Sequence, residues 1–349
     1  VCARLKLLHS VTMESQLISS ADAPFEEQIG KLVCGNAAHV MASWPEASVD
    51  CIITSPPYWN AVEYEGQAGG WATYDDYLDD MEAVWAQCAR VLRPNGKLCI
   101  NSPLMPIPKS VIEQHTRHIK NIAADNEHRI LEGTDLERYG LFIWQKQTSK
   151  MMFGSYPYPG NILENNTIEF ISVFVKSGKP PQFEKPVKEA NKMSRNEWLD
   201  LAQQVWFMYP EDVKREEGHP APFPEKLPAR LMRLYTYGQC DGFEGELIVD
   251  PFVGTGTTCI VANKMKRRWI GIDISKNYLE FAEKRIKDSP PNEPLWVVGR
   301  AKYPTKDELV RLLFEEGGSK GAEAVSKHKR KTYGRKAEKA DETDQPKLM

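Results

Sequence analysis

Two short segments carry residue types that chemistry needs. The first, Thr54-Ser55-Pro56-Pro57-Tyr58-Trp59, ends a short apolar, β-branched run. Consecutive prolines fix φ and remove N–H donors, so the backbone here is rigid and its carbonyls are free. Free carbonyls beside the Ser55 hydroxyl make an acceptor cluster, with the Tyr58 ring next to it. Such a set suits a planar amino group: oxygens take its N–H bonds while a ring stacks on its face. The plainer alternative is a Pro-Pro strand terminator that happens to be followed by Tyr. The second segment is Asp250-Pro251-Phe252-Val253-Gly254-Thr255-Gly256-Thr257-Thr258, between the run Leu247–Val249 and the helical stretch Cys259–Lys266. Two glycines between a strand and a helix let backbone N–H groups approach a ligand closely. Asp273 ends the next strand about 20 residues on, where an acid can bind ribose hydroxyls.

A glycine loop followed by an acid admits a dinucleotide dehydrogenase. Two details oppose it. The third glycine is missing, with Cys259 in its place, and Asp250 puts a negative charge at the loop mouth. A carboxylate there repels a pyrophosphate but attracts an α-ammonium or a sulfonium. S-adenosylmethionine offers both cations and no phosphate. A tight turn with no ligand is the other reading of this loop.

These segments need strands to end and helices to begin in the right places. Lys31–Cys34, Asp50–Thr54, Gly96–Asn101, Leu141–Trp144, Thr167–Val175, Leu247–Asp250 and Trp269–Asp273 read as buried strands. Tyr77–Leu92 places Leu78, Met81, Val84, Trp85, Cys88 and Leu92 on one helical face, and Arg93-Pro94-Asn95-Gly96 ends it with turn chemistry. Pro228–Tyr237 and Asn277–Ile286 are further helices. Strands alternating with helices predict an α/β fold, a doubly wound, mostly parallel sheet covered on both faces. Lys176–Glu217 breaks the rhythm with Pro-Pro, many charges and Trp198, Trp206, Phe207 and Tyr209, and reads as an insertion with its own small fold. The end of the chain from about Gly317 is rich in Gly, Ser and Lys. It reads as a solvated, partly disordered tail or as a phosphate-contacting arm.

Composition narrows the field. With 349 residues and a formal charge of -3, any nucleic-acid surface must be a local patch. No apolar run approaches the roughly 18 residues of a membrane span. The N-terminal residues lack a signal-peptide pattern. Seven cysteines form no Cys-x-x-Cys pair, so neither a structural metal nor a disulfide framework is expected, and a reducing, cytoplasmic setting is.

Taken together, Ser55–Tyr58 and Asp250–Thr258 resemble the DNA amino-methyltransferases that modify cytosine N4 or adenine N6. Other stretches are similar in the same order: Leu32–Met41 with Gly35-Asn36, resembling the segment flanking the cofactor's adenine; Val91–Leu98; Asn166–Lys176; and His219–Leu231, resembling the helix entry lining the methionine end. The resemblance spans roughly residues 31–287. The catalytic half comes first, Ser55 preceding Gly254 by about 200 residues, as in the permuted β class. That class implies a Rossmann-like methyltransferase fold with a small target-recognition insertion. The implied layout is an N-terminal extension (1–28), a catalytic half (29–176), a recognition insertion (177–217), a cofactor half (218–300) and a C-terminal extension (301–349). Asn36 departs from the Asp of many members. Because the insertion is short, part of the DNA reading is expected from Pro103–Arg138.

The resemblance assigns catalysis to Ser55, Pro56, Pro57 and Tyr58. It assigns S-adenosylmethionine to Asp250, Phe252, Gly254, Gly256, Thr257, Thr258, Asp273, Asn36, Phe223 and Pro224. DNA contacts are expected from Trp59, which reads equally as core, and from Trp206, Lys192 and Arg195. The implied reaction is direct methyl transfer to an exocyclic amine of a flipped base in double-stranded DNA. No Pro-Cys pair occurs, as ring-carbon cytosine enzymes require, nor the His-x-Glu and Pro-Cys-x-x-Cys of zinc deaminases. Ser at the first motif position favours cytosine N4, with adenine N6 as the alternative. The same chemistry on RNA, an NAD-dependent oxidoreductase and a DNA-binding protein on a decayed methylase fold are the rivals. A cognate restriction endonuclease is a possible partner, and the chain is expected as monomer or homodimer.

Overall fold

Apolar residues alternate along the central strands so that both sheet faces are oily, which forces helices onto both. The computed structural model describes residues 17–59, 70–107, 118–146, 158–160, 167–208 and 223–289. The first 16 residues, the end of the insertion with His219–Pro222, and the C-terminal extension with its basic tail lie outside them. The described strands are β1 (Ile18–Ser20), β2 (Lys31–Cys34), β3 (Val49–Thr54), β4 (Leu92–Ile107), β5 (His118–Asn121), β6 (Leu136–Lys146), β7 (Ile168–Lys176), β8 (Val205–Met208), β9 (Leu247–Asp250) and β10 (Arg268–Asp273). They form one sheet in the order β1-β2-β10-β9-β3-β4-β7-β6-β8, with β5 on the upper end of β4. Strand β7 runs antiparallel to β4 and β6, and β5 to β4; the other pairs are parallel.

The described helices are α1 (Phe25–Gln28), α2 (Ala37–Ala42), α3 (Tyr74–Val91), α4 (Ile122–Gly133), α5 (Lys185–Ala190), α6 (Arg195–Leu201), α7 (Lys226–Tyr235), α8 (Thr257–Lys264) and α9 (Lys276–Asp288). Two apolar clusters show the double winding. Val33, Ile52, Leu98, Val249 and Ile270 face α2, α3 and α4, while Leu32, Ile53, Cys99, Ile248 and Trp269 face α7, α8 and α9. The expected α/β, doubly wound sheet is what forms.

Helix α3 starts three residues earlier than the periodicity suggests, because Thr73 and Asp76 cap it reciprocally: each side chain accepts from the other's backbone N–H. Its buried stripe includes Tyr77, Met81 and Trp85, each worth about 1.5–3 kcal/mol of burial. The turn expected at Arg93–Gly96 survives as a bulge inside β4. Asn95 is left-handed at φ 66°, and the β3–β4 register advances from Val49↔Leu92 to Cys51↔Lys97.

The insertion is not a separate small fold over its described part. Helices α5 and α6 lead into β8, which joins the main sheet beside β6. Strands β1, β5 and β8 went unread although β2 and β9 are as short: β1 (Ile-Ser-Ser) and β5 (His-Ile-Lys-Asn) are mostly polar, and β8 lies inside the charged segment read as an insertion.

Candidate active site

The sheet order reverses between β9 and β3, which lie side by side and parallel. From β9 the chain order runs outward through β10; from β3 it runs the other way through β4. Ligands of open α/β sheets bind at such a switch point, beyond the carboxyl ends of the strands. Both chemical segments start there: Ser55–Trp59 follows β3 and Asp250–Thr258 spans the end of β9 and the start of α8.

A buried carboxylate ties them together. Asp250 is 1% exposed. Its Oδ1 accepts from Thr54 Oγ1 at 2.6 Å and from the Phe252 N–H at 3.1 Å, and its Oδ2 accepts from Thr258 Oγ1 at 2.6 Å. Burial pushes its pKa up to about 6 against the lowering effect of these three donors. From the sequence, Asp250 is expected to put a negative charge at the loop mouth, toward a cationic ligand. In the structure both of its oxygens are engaged by protein donors, so its first role is to lock the glycine loop to the residue preceding Ser55.

The loop is shaped by its glycines. Gly254 and Gly256 take φ of +48° and +82°, and a Cβ on Gly256 would come within 2.9 Å of the Ala282 Cβ. Thr257 and Thr258 open α8 and are buried. Asp273 closes the far side: Oδ2 accepts from the Gly254 N–H and Oδ1 from the Ser275 N–H, both at 2.9 Å. Burial raises its pKa. The Ile274 backbone N–H is a third donor to this carboxylate, so of its about four lone-pair positions one is left for a ligand hydroxyl. Next to it, β2 and β10 end in register at Cys34↔Asp273. Asn36 follows, exposed, its Oδ1 capping α2 through the His39 N–H. Phe252 lies half-buried with its ring edge-on to Trp85 at 6.1 Å. Phe223 and Pro224 are buried where α7 begins, Phe223 in the cluster that holds Ile53, Val253 and Cys259.

The loop itself carries no basic side chain. With acids on both sides, and with the Phe252, Val253, Gly254 and Gly256 N–H groups already bonded within the protein, it fits a cationic ligand bearing ribose hydroxyls better than a pyrophosphate.

On the other side, Ser55 Oγ lies 3.0 Å from the Asn101 carbonyl and 2.8 Å from the Tyr58 hydroxyl. The carbonyl can only accept, so Ser55 donates to it and accepts from Tyr58. One Ser55 lone pair is left over. Tyr58 is 6% exposed and Trp59 is buried too, its ring edge-on to Tyr74 at 5.2 Å and its backbone left-handed at φ 35°. Trp59 is therefore core rather than an exposed platform.

The DNA-facing residues expected in the insertion are not brought to this edge. Trp206 is 1% exposed, stacked on Phe142 at 4.4 Å and covered by the Arg230 guanidinium at 4.7 Å. It belongs to the core because β8 joined the sheet. Lys192 and Arg195 are exposed, but on the wrong side. Arg233 holds the Asn191 and Lys192 carbonyls and Glu197, and Asn191 bonds Gly238, whose neighbour Tyr237 accepts from the Glu246 N–H just before β9 begins. That places them toward the amino ends of the parallel strands, away from Ser55.

Thr54, Asn101 and Arg285 went unread. Arg285 donates to the Thr255 carbonyl and Thr257 Oγ1, bracing the loop from α9. Thr54 and Asn101 had only their strand-end position as a signal, since their partners lie far off in sequence.

The sequence pattern of the N6/N4 DNA methylase family matches residues 49–284. The chain belongs to this family. It is thus an S-adenosylmethionine-dependent DNA methyltransferase of the N4/N6 amino type. Among curated relatives it is 28% identical to the Type II methyltransferase M.MjaI of Methanocaldococcus jannaschii, over 73% of this chain and 90% of that one. It is also 28% identical to M.HpaI of Haemophilus parainfluenzae, over 73% and 74%. Among solved structures, a putative DNA modification methylase of Thermus thermophilus complexed with S-adenosyl-L-methionine superposes with TM-score 0.60 at 29% identity, covering 75% of this chain and 96% of the other. The PvuII cytosine-N4-specific DNA methyltransferase shares the fold at TM-score 0.56 and 18% identity, covering 74% and 90%. Among the described residues no helix is long and apolar enough to cross a membrane.

Proposed function

We propose that the enzyme methylates the N4 amine of cytosine in double-stranded DNA, within a restriction–modification setting. The observation that carries the site is the Thr54–Asp250–Thr258 tie, which sets an amine-accepting segment beside a loop suited to a cationic cofactor. Ser at the head of Ser55–Tyr58 favours cytosine over adenine. The Type II names of the relatives support the setting.

Gly254, Gly256, Thr257 and Thr258 would hold the cofactor through backbone and hydroxyl groups, Asp273 and Asn36 its adenosine end, and Phe252, Phe223 and Pro224 its apolar flanks. When bound, S-adenosylmethionine supplies an electrophilic methyl group on a sulfonium. The free lone pair of Ser55 Oγ and the Pro56 carbonyl accept the amine's two N–H bonds, favouring a tetrahedral nitrogen whose own lone pair points at the methyl carbon. Pro56 and Pro57 keep that geometry rigid. Tyr58 fixes Ser55 through its hydroxyl; its ring, as buried as that of Trp59, would have to be uncovered as the base enters in order to stack on it, a contact worth roughly 1–3 kcal/mol. As the N–CH3 bond forms the S–CH3 bond breaks, and the amine's surplus proton passes to solvent. Positioning supplies most of the remaining rate. The upper end of β4 and β5 stand beyond the catalytic edge, where Lys120 lies over the Tyr74 ring, and this supports a second DNA-facing surface there.

The test is methylation of random-sequence DNA followed by single-molecule mapping of the modified bases. Modification confined to N4-cytosine in one sequence context supports the reading. N6-adenine as the product rejects the cytosine assignment, and no methylation of DNA rejects the whole.

A further inference from the structure

The residue whose carbonyl binds the Ser55 hydroxyl also carries a buried acceptor without a donor. Asn101 sits one residue past Ile100, the register partner of Thr54. Its carbonyl takes the Ser55 proton, and the residue is 2% exposed. Its side-chain Nδ2 donates to Glu169 Oε2, while Glu169 Oε1 is ion-paired with Lys146. An ionised carboxylate only accepts, so the amide cannot turn over: the NH2 faces Glu169 and Oδ1 faces away. That Oδ1 has no donor among the described residues. Three strands, β4, β7 and β6, thus cooperate to aim one bare oxygen. A buried polar atom left unpaired costs stability, and its persistence calls for a ligand that completes it.

The position says which ligand. Asn101 stands on β4, on the far side of β3 from the glycine loop. It therefore borders the target rather than the methyl donor. Ser55 has one lone pair to spare once Tyr58 and the Asn101 carbonyl are served, so the amine's second N–H must be held by acceptors other than Ser55.

We propose that Asn101 Oδ1 accepts an N–H of the target base's exocyclic amine, sharing that hydrogen with the Pro56 carbonyl while Ser55 Oγ takes the other, with Glu169 and Lys146 as positioning residues that orient it. The inference rests on reading Ser55–Tyr58 as the amine site. The test uses the full chain, S-adenosylhomocysteine, and duplexes carrying the mapped site. The target base is either intact or replaced by an analogue lacking the amine, pyrimidin-2-one for cytosine or purine for adenine. Wild type binds the intact duplex more tightly. Asn101→Ala narrows that preference by roughly fivefold to tenfold, the weight of one hydrogen bond from a buried site. Glu169→Gln keeps the side-chain volume but lets the amide turn, and narrows it by a smaller factor. S-adenosylhomocysteine affinity, by calorimetry, stays at the wild-type value in both. An unchanged preference in folded Asn101→Ala overturns the proposal, as does a loss confined to cofactor affinity. Should Asn101→Ala not fold, an unchanged preference in Glu169→Gln does the same. A wild type that does not distinguish the two duplexes is a separate failure, that of the amine site itself.

Discussion

Replacing Asp250 separates two roles that its sequence position allows, structural tie and cofactor counter-charge. Asp250→Ala leaves the Thr54 hydroxyl, the Thr258 hydroxyl and the Phe252 N–H without their acceptor. Each such bond to a charged group is worth about 1.5–3 kcal/mol. Against this, a carboxyl whose pKa is about 6 in the fold and 3.8 when unperturbed costs about 3 kcal/mol to keep ionised in the fold at neutral pH. Removing it relieves that cost. The net expectation is a loss of about 2–6 kcal/mol for Ala, seen as a lower urea midpoint. Asp250→Asn behaves differently. Its oxygen still accepts from Thr54 and Phe252, its NH2 can donate to a turned Thr258 hydroxyl, and the buried charge is gone. Its stability at pH 8 should match wild type within about 1 kcal/mol. The pH dependence follows from the same shift. Because the folded pKa lies above the unfolded one, Asp250's stabilising contribution is full below about pH 3.8 and is lost as pH rises to about 6. Asp250→Asn should abolish that part of the slope. If Asp250 is chiefly a tie, Asp250→Asn also keeps its S-adenosylmethionine affinity within about threefold by calorimetry. A loss of tenfold or more in a variant of wild-type stability would refute the tie and restore the counter-charge.

Ser55→Ala should leave cofactor affinity intact and cut single-turnover methyl transfer by about 10²–10³, as loss of one preorganised polar group does elsewhere. Tyr58→Phe should lower the rate less, by roughly tenfold, since it frees the Ser55 hydroxyl from one partner; a rate equal to wild type would remove Tyr58 from Ser55's positioning. Trp206→Ala should destabilise by about 3–5 kcal/mol while Lys192→Ala and Arg195→Ala change neither stability nor the salt dependence of DNA binding. A shallower salt slope in the lysine or arginine variant would put that surface back on the DNA.

Much of the site was legible because its parts are local. Ser55-Pro56-Pro57-Tyr58 and Gly254-Thr255-Gly256 announce a rigid acceptor segment and a close-approach loop through φ restriction and missing donors or side chains, properties that each residue carries with it. Short apolar, β-branched runs placed β3 and β9, and helical spacing of apolar residues placed α3, for the same reason; α9 was placed with them. What the tertiary structure decided is everything that depends on partners distant in the chain. Thr54 and Asp250 are 196 residues apart, and only the adjacency of β3 and β9 makes a lock of them. That adjacency also makes of the charge expected at the loop mouth a buried hub with a raised pKa. Trp206 and Trp198 look alike in the sequence, but pairing of β8 with β6 buried the first and left the second 60% exposed on α6. Lys192 and Arg195 lie in the segment where recognition was expected, yet the direction of β7 returns the chain to the opposite edge before they occur. A side chain's conformational preferences are written in its own residue; its burial, its charge state and the edge of the sheet it faces belong to strand order, which no short window of sequence contains.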